Sequence, residues 1–149
     1  MVASFAVQFN VDVEIASTPA EIFDKLADAR NEIRWNAQVS KSELMSAEPV
    51  GSGSAFRTVN RGKEYTAAII AFDRPNLLTF DVKGSPMDIT ASFRIEPDDA
   101  RSVLRGEFDM RPKGLMKVMF PLLKPMIRRD LARQSQSLKA FCESSSGPP

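Results

Sequence analysis

Residues 5–27, FAVQFNVDVEIASTPAEIFDKLA, contain two successive patterns that together decide the fold. Apolar and polar residues alternate from Phe5 to Ile15, which predicts a long strand with one solvated face. Thr18 and Pro19 then supply a capping hydroxyl and a proline suited to the first helical turn. A second short helix is expected at residues 31–36. The sequence therefore predicts one long strand followed by two short helices.

The middle of the chain consists of short apolar segments separated by glycine, proline and asparagine. This spacing is typical of a meander of antiparallel strands. A further strand begins near Val39, and the remaining predicted strands lie at residues 54–60, 64–72, 77–83, 87–96 and 101–110. The strand at 64–72 is apolar on both sides. Its orientation, and with it the direction in which Tyr65 points, stays open.

The last third of the chain changes to a helical period. Its apolar residues recur at three- and four-residue steps, which predicts a long amphipathic helix with lysine and arginine on the other face. Leu122 belongs to the apolar stripe and is predicted to be buried. Pro121 and Pro125 each remove a backbone donor, so we expect a kink or a break there.

The composition is that of a single soluble domain, with 43% apolar and 26% charged residues among 149. We assign residues 1–143 to the domain and residues 144–149 to a disordered tail. The net charge of +1 provides no long-range field that would recruit nucleic acid or an anionic membrane. No segment has the pattern of a signal peptide or of a membrane span, so we expect a cytoplasmic protein without stable membrane insertion. The oligomeric state stays open.

The chain contains no histidine and a single cysteine, Cys142. A zinc site or a histidine-assisted nucleophile therefore cannot be assembled from it, and we expect neither a metal nor a cofactor. Any catalysis would have to use tyrosine, carboxylates, arginine or bound water.

Several short motifs follow one another in a recognisable order. They are Val13-x-Ile15-x-x-x-Pro19-Ala20-x-Ile22-Phe23-x-x-Leu26-x-Asp28, then Trp35, then Gly51-x-Gly53, then Phe72-Asp73-x-Pro75-x-x-Leu78-Thr79-Phe80. In this order the sequence resembles the START-like superfamily that includes the polyketide cyclase/dehydrase and lipid-transport proteins. The resemblance implies an α+β helix-grip fold. In that fold a curved antiparallel sheet of six to seven strands wraps around the long C-terminal helix, with two short helices after strand one.

In the resembled superfamily, the space between sheet and helix holds hydrophobic or amphipathic ligands. The apolar faces of the predicted elements supply the candidate lining, although any single one of these residues is more often plain core than ligand contact. The candidates are Phe9, Val11, Phe80, Phe93, Leu104, Phe108, Met110, Met119, Leu122 and Met126. Methionine favours ligand contact because its flexible thioether adapts to varied shapes. Arg57 and Tyr65 are candidate polar contacts if they point inward.

Three hypotheses for function remain open at this point. The first is the binding of a hydrophobic small molecule or lipid in an internal cavity. The second is a cyclase or dehydratase that uses Tyr65, Asp88, Arg57 or Arg105, and it requires polar groups that converge inside the cavity. The alternation of its strand places Asp88 outward in water, so we lean toward binding. The third is an interaction module, which would expose an apolar patch instead of enclosing one.

Overall fold

Seven antiparallel strands in the order β1-β7-β6-β5-β4-β3-β2 form the sheet of the computed structural model, which describes residues 6–144. The strands are β1 (Val7–Ile15), β2 (Val39–Leu44), β3 (Ala55–Asn60), β4 (Lys63–Asp73), β5 (Leu77–Gly84), β6 (Met87–Asp98) and β7 (Arg101–Pro112). The helices are α1 (Pro19–Ala27), a 3₁₀ turn (Ala29–Asn31), α2 (Glu32–Trp35) and α3 (Leu115–Ser144). The predicted helix-grip architecture is confirmed.

Helix α1 begins where its sequence predicts. The backbone N–H of Glu21 donates to the Thr18 hydroxyl at 3.2 Å, and the Glu21 carboxylate accepts from the Thr18 N–H at 3.4 Å. This reciprocal capping box satisfies two backbone donors at the helix start. The buried side of α1, which includes Ile22 and Phe23, packs into the main hydrophobic cluster.

Strand β4 has the orientation that the sequence could not decide. Ala67 and Ile69 are buried, whereas the side chain of Ile70 is 57% exposed on the outer face. Tyr65 shares the inner face with Ala67 because side chains two positions apart point the same way. The pairing with β5 shifts between Ile69 and Ala71. After this bulge Phe72 packs edge-on against Phe23 of α1, with ring centroids 5.0 Å apart.

Helix α3 runs without a break from Leu115 to Ser144, so the break expected at the two prolines is not found. Pro121 and Pro125 both lie on the exposed side of the helix. There, a carbonyl that loses its N–H partner can bond to water. Ser144, assigned to the tail, is the last residue of α3. Phe5, assigned to the first strand, and residues 145–149 lie outside the described residues.

Two clusters of buried side chains hold α3 on the inner face of the sheet. The larger one includes Leu138 and Cys142, and the smaller one joins Phe120 and Leu131 to Phe9. The prediction that Leu122 is buried is wrong, because its side chain is 83% exposed. Leu122 lies two residues from Phe120, and two residues turn a helix by roughly 200°, so both cannot face the core.

No helix within residues 6–144 is long and apolar enough to cross a membrane.

Candidate functional site

A cavity of about 490 Å³ lies between the inner face of the sheet and helix α3. Its lining comes from β1, β3 to β7 and all three helices, and most of the lining side chains are apolar. A volume of this size is within the range of roughly 300–1,000 Å³ that small-molecule sites occupy. The fold therefore leaves space in its centre that its own side chains do not fill.

Most of the apolar residues predicted to line a cavity do line it. These are Val11, Phe80, Phe93, Leu104, Phe108, Met110 and Met126. The structure adds apolar residues that the sequence analysis did not single out, among them Val82, Ile89, Met116 and Leu123. They were missed because the periodicity of the sequence predicts which residues lie on an apolar face, but not the distance between the sheet and α3. That distance decides which of these residues line the cavity.

Four predicted site residues lie outside the cavity, which corrects their assignment. Phe9 packs against Phe120 in the smaller cluster, with ring centroids 6.5 Å apart. Met119 and Leu122 lie on the outer side of α3 and are 41% and 83% exposed. Arg57 lies on the outer face of β3, because buried Phe56 takes the inner face, and its guanidinium pairs with Glu64 at 2.8 Å.

Tyr65 lines the cavity, and the position of its ring depends on a glycine opposite. Tyr65 pairs with Gly84 across β4 and β5, and the ring occupies the place that a Cβ at Gly84 would take. Burial raises the pKa of the Tyr65 hydroxyl above its ordinary value. Among the described residues, the hydroxyl has no hydrogen-bond partner. It is therefore available to a bound molecule.

Glu32 is the acidic group that the sequence analysis missed. It lies in the single turn of α2 and lines the cavity, where its Oε2 accepts a hydrogen bond from the Asn36 amide at 3.1 Å. No lysine or arginine of the described residues is within ion-pair distance of it. Burial raises the pKa of the Glu32 carboxyl, and the Asn36 hydrogen bond offsets only part of that rise. In the sequence, Glu32 is only an acidic residue in a first helical turn, and nothing else in its surroundings indicates a functional role.

The cavity opens at the end of the sheet where the β3–β4 hairpin turns. Arg61 and Lys63, on either side of this turn, are the exposed lining residues, whereas Leu26, Ala29 and Leu138 at the opposite end are buried. Arg61 Nη2 donates to Asp130 of α3 at 2.6 Å. This ion pair links the hairpin to the helix at the rim of the cavity.

The other groups considered for catalysis lie outside the cavity lining. Burial acts to raise the pKa of Asp88, but hydrogen bonds from Lys113 and from the Gly84 N–H outweigh it and hold this pKa below its ordinary value. Arg105 is exposed and pairs with Glu96 and Asp12, both at 3.0 Å. No group of acidic or cysteine side chains within residues 6–144 is arranged to hold a metal ion.

The amino-acid sequence from residue 6 to residue 143 matches the family described as polyketide cyclase/dehydrase and lipid transport. The chain belongs to this family. The START-like resemblance of the motifs from Val13 to Phe80 is thereby confirmed. No curated protein sequence matches the chain at a significant level.

Solved structures show the same fold at low sequence identity. A START superfamily protein from Mycobacterium smegmatis is 17% identical with a TM-score of 0.74, over 92% of this chain and 97% of that one. The Zhui aromatase/cyclase from Streptomyces sp. R1128 is 15% identical with a TM-score of 0.74, over 97% and 100%. A protein from Thermus thermophilus is 11% identical with a TM-score of 0.80, over 95% and 100%. At these identities the likeness concerns the fold alone.

Proposed function

We propose that this member of the family binds a hydrophobic or amphipathic small molecule in its central cavity. The observation that carries the proposal is the space of about 490 Å³ lined mainly by apolar side chains. Burying apolar ligand surface there is favourable by roughly 25 cal/mol per Å². A core that needed no ligand would be filled by its own side chains, since protein interiors are close-packed.

Two polar groups in the lining favour an amphipathic ligand over a pure hydrocarbon. Glu32 carries a carboxyl without a cationic partner among the described residues, and Tyr65 carries a free hydroxyl. A hydroxyl, carbonyl or amine on the ligand could form hydrogen bonds to these groups, whereas a pure hydrocarbon would displace water from them without replacing its hydrogen bonds. We therefore assign Glu32 and Tyr65 as the groups that orient the polar end of the ligand.

The same carboxyl favours one alternative, a cyclase or dehydratase. A carboxyl whose pKa is raised by burial can act as an acid or a base near neutral pH. Of the residues first considered for this chemistry, only Tyr65 lies in the cavity. An enzyme of this kind would therefore depend on Glu32 and Tyr65.

Binding is tested with a dye whose fluorescence rises in apolar surroundings. We expect one saturable site per chain, with competition by fatty acids. Met126→Trp, which adds volume inside the cavity, should weaken binding at least tenfold. Met119→Trp makes the same change on the same helix but outside the cavity, so it should leave binding unchanged. Equal affinities of the two variants, or no dye binding by the wild type, would exclude the cavity as the site.

The enzyme alternative is tested with Glu32→Gln, which keeps the size of the side chain and an acceptor for Asn36. Incubation with linear polyketide-type substrates, followed by mass spectrometry, reports ring closure or loss of water. If Glu32 only orients a ligand, neither wild type nor variant converts the substrates, and the variant binds the dye's competitors more weakly. Turnover by the wild type that Glu32→Gln abolishes would establish the enzyme instead.

A further inference from the structure

The first half of helix α3 is apolar on its outer side as well as on its inner side. On the inner side, Met116, Leu123 and Ile127 line the cavity. The outer side carries a stripe of exposed apolar residues at three- and four-residue spacing, which we call the α3 patch. It consists of Leu115 (74% exposed), Val118 (74%), Met119 (41%) and Leu122 (83%). A helix face this apolar is normally covered by another surface.

The same half of the helix carries only positive charge. Residues 113–129 contain five cationic side chains and no acidic one, although the whole chain is nearly neutral: Lys113, Lys117, Lys124, Arg128 and Arg129. Lys117, Lys124 and Arg129 form no ion pair with any acid of the described residues. The net charge of the whole chain is only +1, but its positive charges are concentrated in this segment.

The cations border the apolar stripe at different angles around the helix. Lys117 and Arg128 lie on one flank, roughly 80–100° around α3 from Val118, whereas Lys124 lies on the far side from Leu122 because two residues turn a helix by roughly 200°. Arg129 lies one turn beyond Pro125, in line with Leu122. An apolar stripe bordered by lysine and arginine is the surface that interfacial helices present to anionic lipid.

The α3 patch is located at the open end of the cavity. The β5–β6 turn contacts the segment just before α3, because the backbone N–H of Lys113 donates to the carbonyl oxygen of Pro86 at 2.9 Å. Pro86 and Met116 both belong to the lining. The β3–β4 hairpin lies at the same end, because Tyr65 pairs with Gly84.

We propose that the α3 patch docks the protein reversibly on the surface of an anionic lipid bilayer. The leucine, valine and methionine side chains enter the boundary between headgroups and acyl chains, and the neighbouring cations contact lipid phosphates. Lipid fits better than an apolar protein surface, because Lys117 and Arg129, which have no acidic partner among the described residues, would then remain unpaired. Docking does not depend on what the cavity binds.

The test is co-sedimentation with vesicles of phosphatidylcholine alone or with added phosphatidylglycerol. We expect binding to the anionic vesicles, weak binding to the neutral ones, and release at 1 M salt, where charges are screened over roughly 3 Å. Absence of binding to anionic vesicles at low salt would overturn the proposal.

Matched variants locate the surface that binds. Lys117→Gln and Arg129→Gln should each weaken binding about fivefold, and Leu122→Gln about tenfold or more. Lys41→Gln and Ile70→Gln remove an exposed cation and an exposed apolar side chain from the sheet, so they should bind as the wild type does. Equal losses in both sets would show that binding is not located at the α3 patch.

A second copy of the chain is the competing occupant of the patch. Light scattering without vesicles distinguishes it: a dimer that Leu122→Gln dissociates would overturn lipid docking in favour of self-association, whereas a monomer supports docking. Dye binding by Leu122→Gln in vesicle-free solution should equal that of the wild type, because Leu122 is outside the cavity. Failure of docking is thus distinguishable from failure of the proposed cavity function.

Discussion

Truncation of two neighbouring residues on α3 tests the rotation of this helix about its axis. The side chain of Phe120 is fully buried, and that of Leu122 is 83% exposed. The Phe120 ring packs at 6.5 Å from the ring of Phe9, in a cluster with Met110 and Leu131. Phe120→Ala and Leu122→Ala therefore remove apolar side chains from the same helix but from opposite environments.

The expected free energies of unfolding differ by several kcal/mol. Phe120→Ala should cost about 3–5 kcal/mol, the sum of lost burial and the void left behind. Leu122→Ala should change stability by no more than about 0.5 kcal/mol, since little of its surface leaves water on folding. In a domain of this size, the loss for Phe120→Ala corresponds to a fall in Tm of roughly 6–20 °C.

Urea unfolding followed by circular dichroism, with a thermal scan as a second measurement, provides the assay. The slope of the unfolding free energy against urea should be the same for both variants and the wild type, so that the midpoint reports stability. A loss of about 2–5 kcal/mol for Leu122→Ala, which is the cost expected of a buried leucine, would mean that α3 is rotated. That result would also remove the exposed stripe on which lipid docking depends.

Three further predictions concern single groups. Because the pKa of the Glu32 carboxyl in the folded state lies above its ordinary value of 4.5, the folded state binds the carboxyl proton more tightly than the unfolded state does. This tighter proton binding stabilises the fold fully below pH 4.5, and the stabilisation is lost as the pH rises through the folded-state pKa. Glu32→Gln should flatten that part of the urea-stability profile, and an unchanged profile would contradict the assignment. The buried Cys142 thiol, with its pKa raised by burial to about 11, should react with a disulfide reagent at about pH 8 only in denaturant; fast reaction of the native protein would show that the end of α3 opens. Gly84→Ala should cost about 1–3 kcal/mol because the new Cβ collides with the Tyr65 ring, whereas Gly51→Ala, with open space around it, serves as the neutral control.

The outcome for the candidate site follows from the kind of element that carries each residue. On β5, β6 and β7 the period of two places every second side chain on the inner face, and Phe80, Phe93, Leu104 and Phe108 all line the cavity. On α3 the apolar residues occupy more than half of the circumference, so the pattern predicts a helix without predicting which side faces inward. The structure places Met126 in the cavity lining, whereas Met119 and Leu122 lie outside it.

The sequence by itself determined the order and type of the elements, because alternation, helical spacing, the Thr18 cap and the turn residues are local properties of the chain. Tertiary structure decided the rotation of α3, through the packing of Phe120 against Phe9. It also decided the position of Glu32, since a one-turn helix has no periodicity from which an inner face could be inferred. The cavity is a tertiary property for the same reason: its volume depends on the separation of two layers that are far apart in sequence.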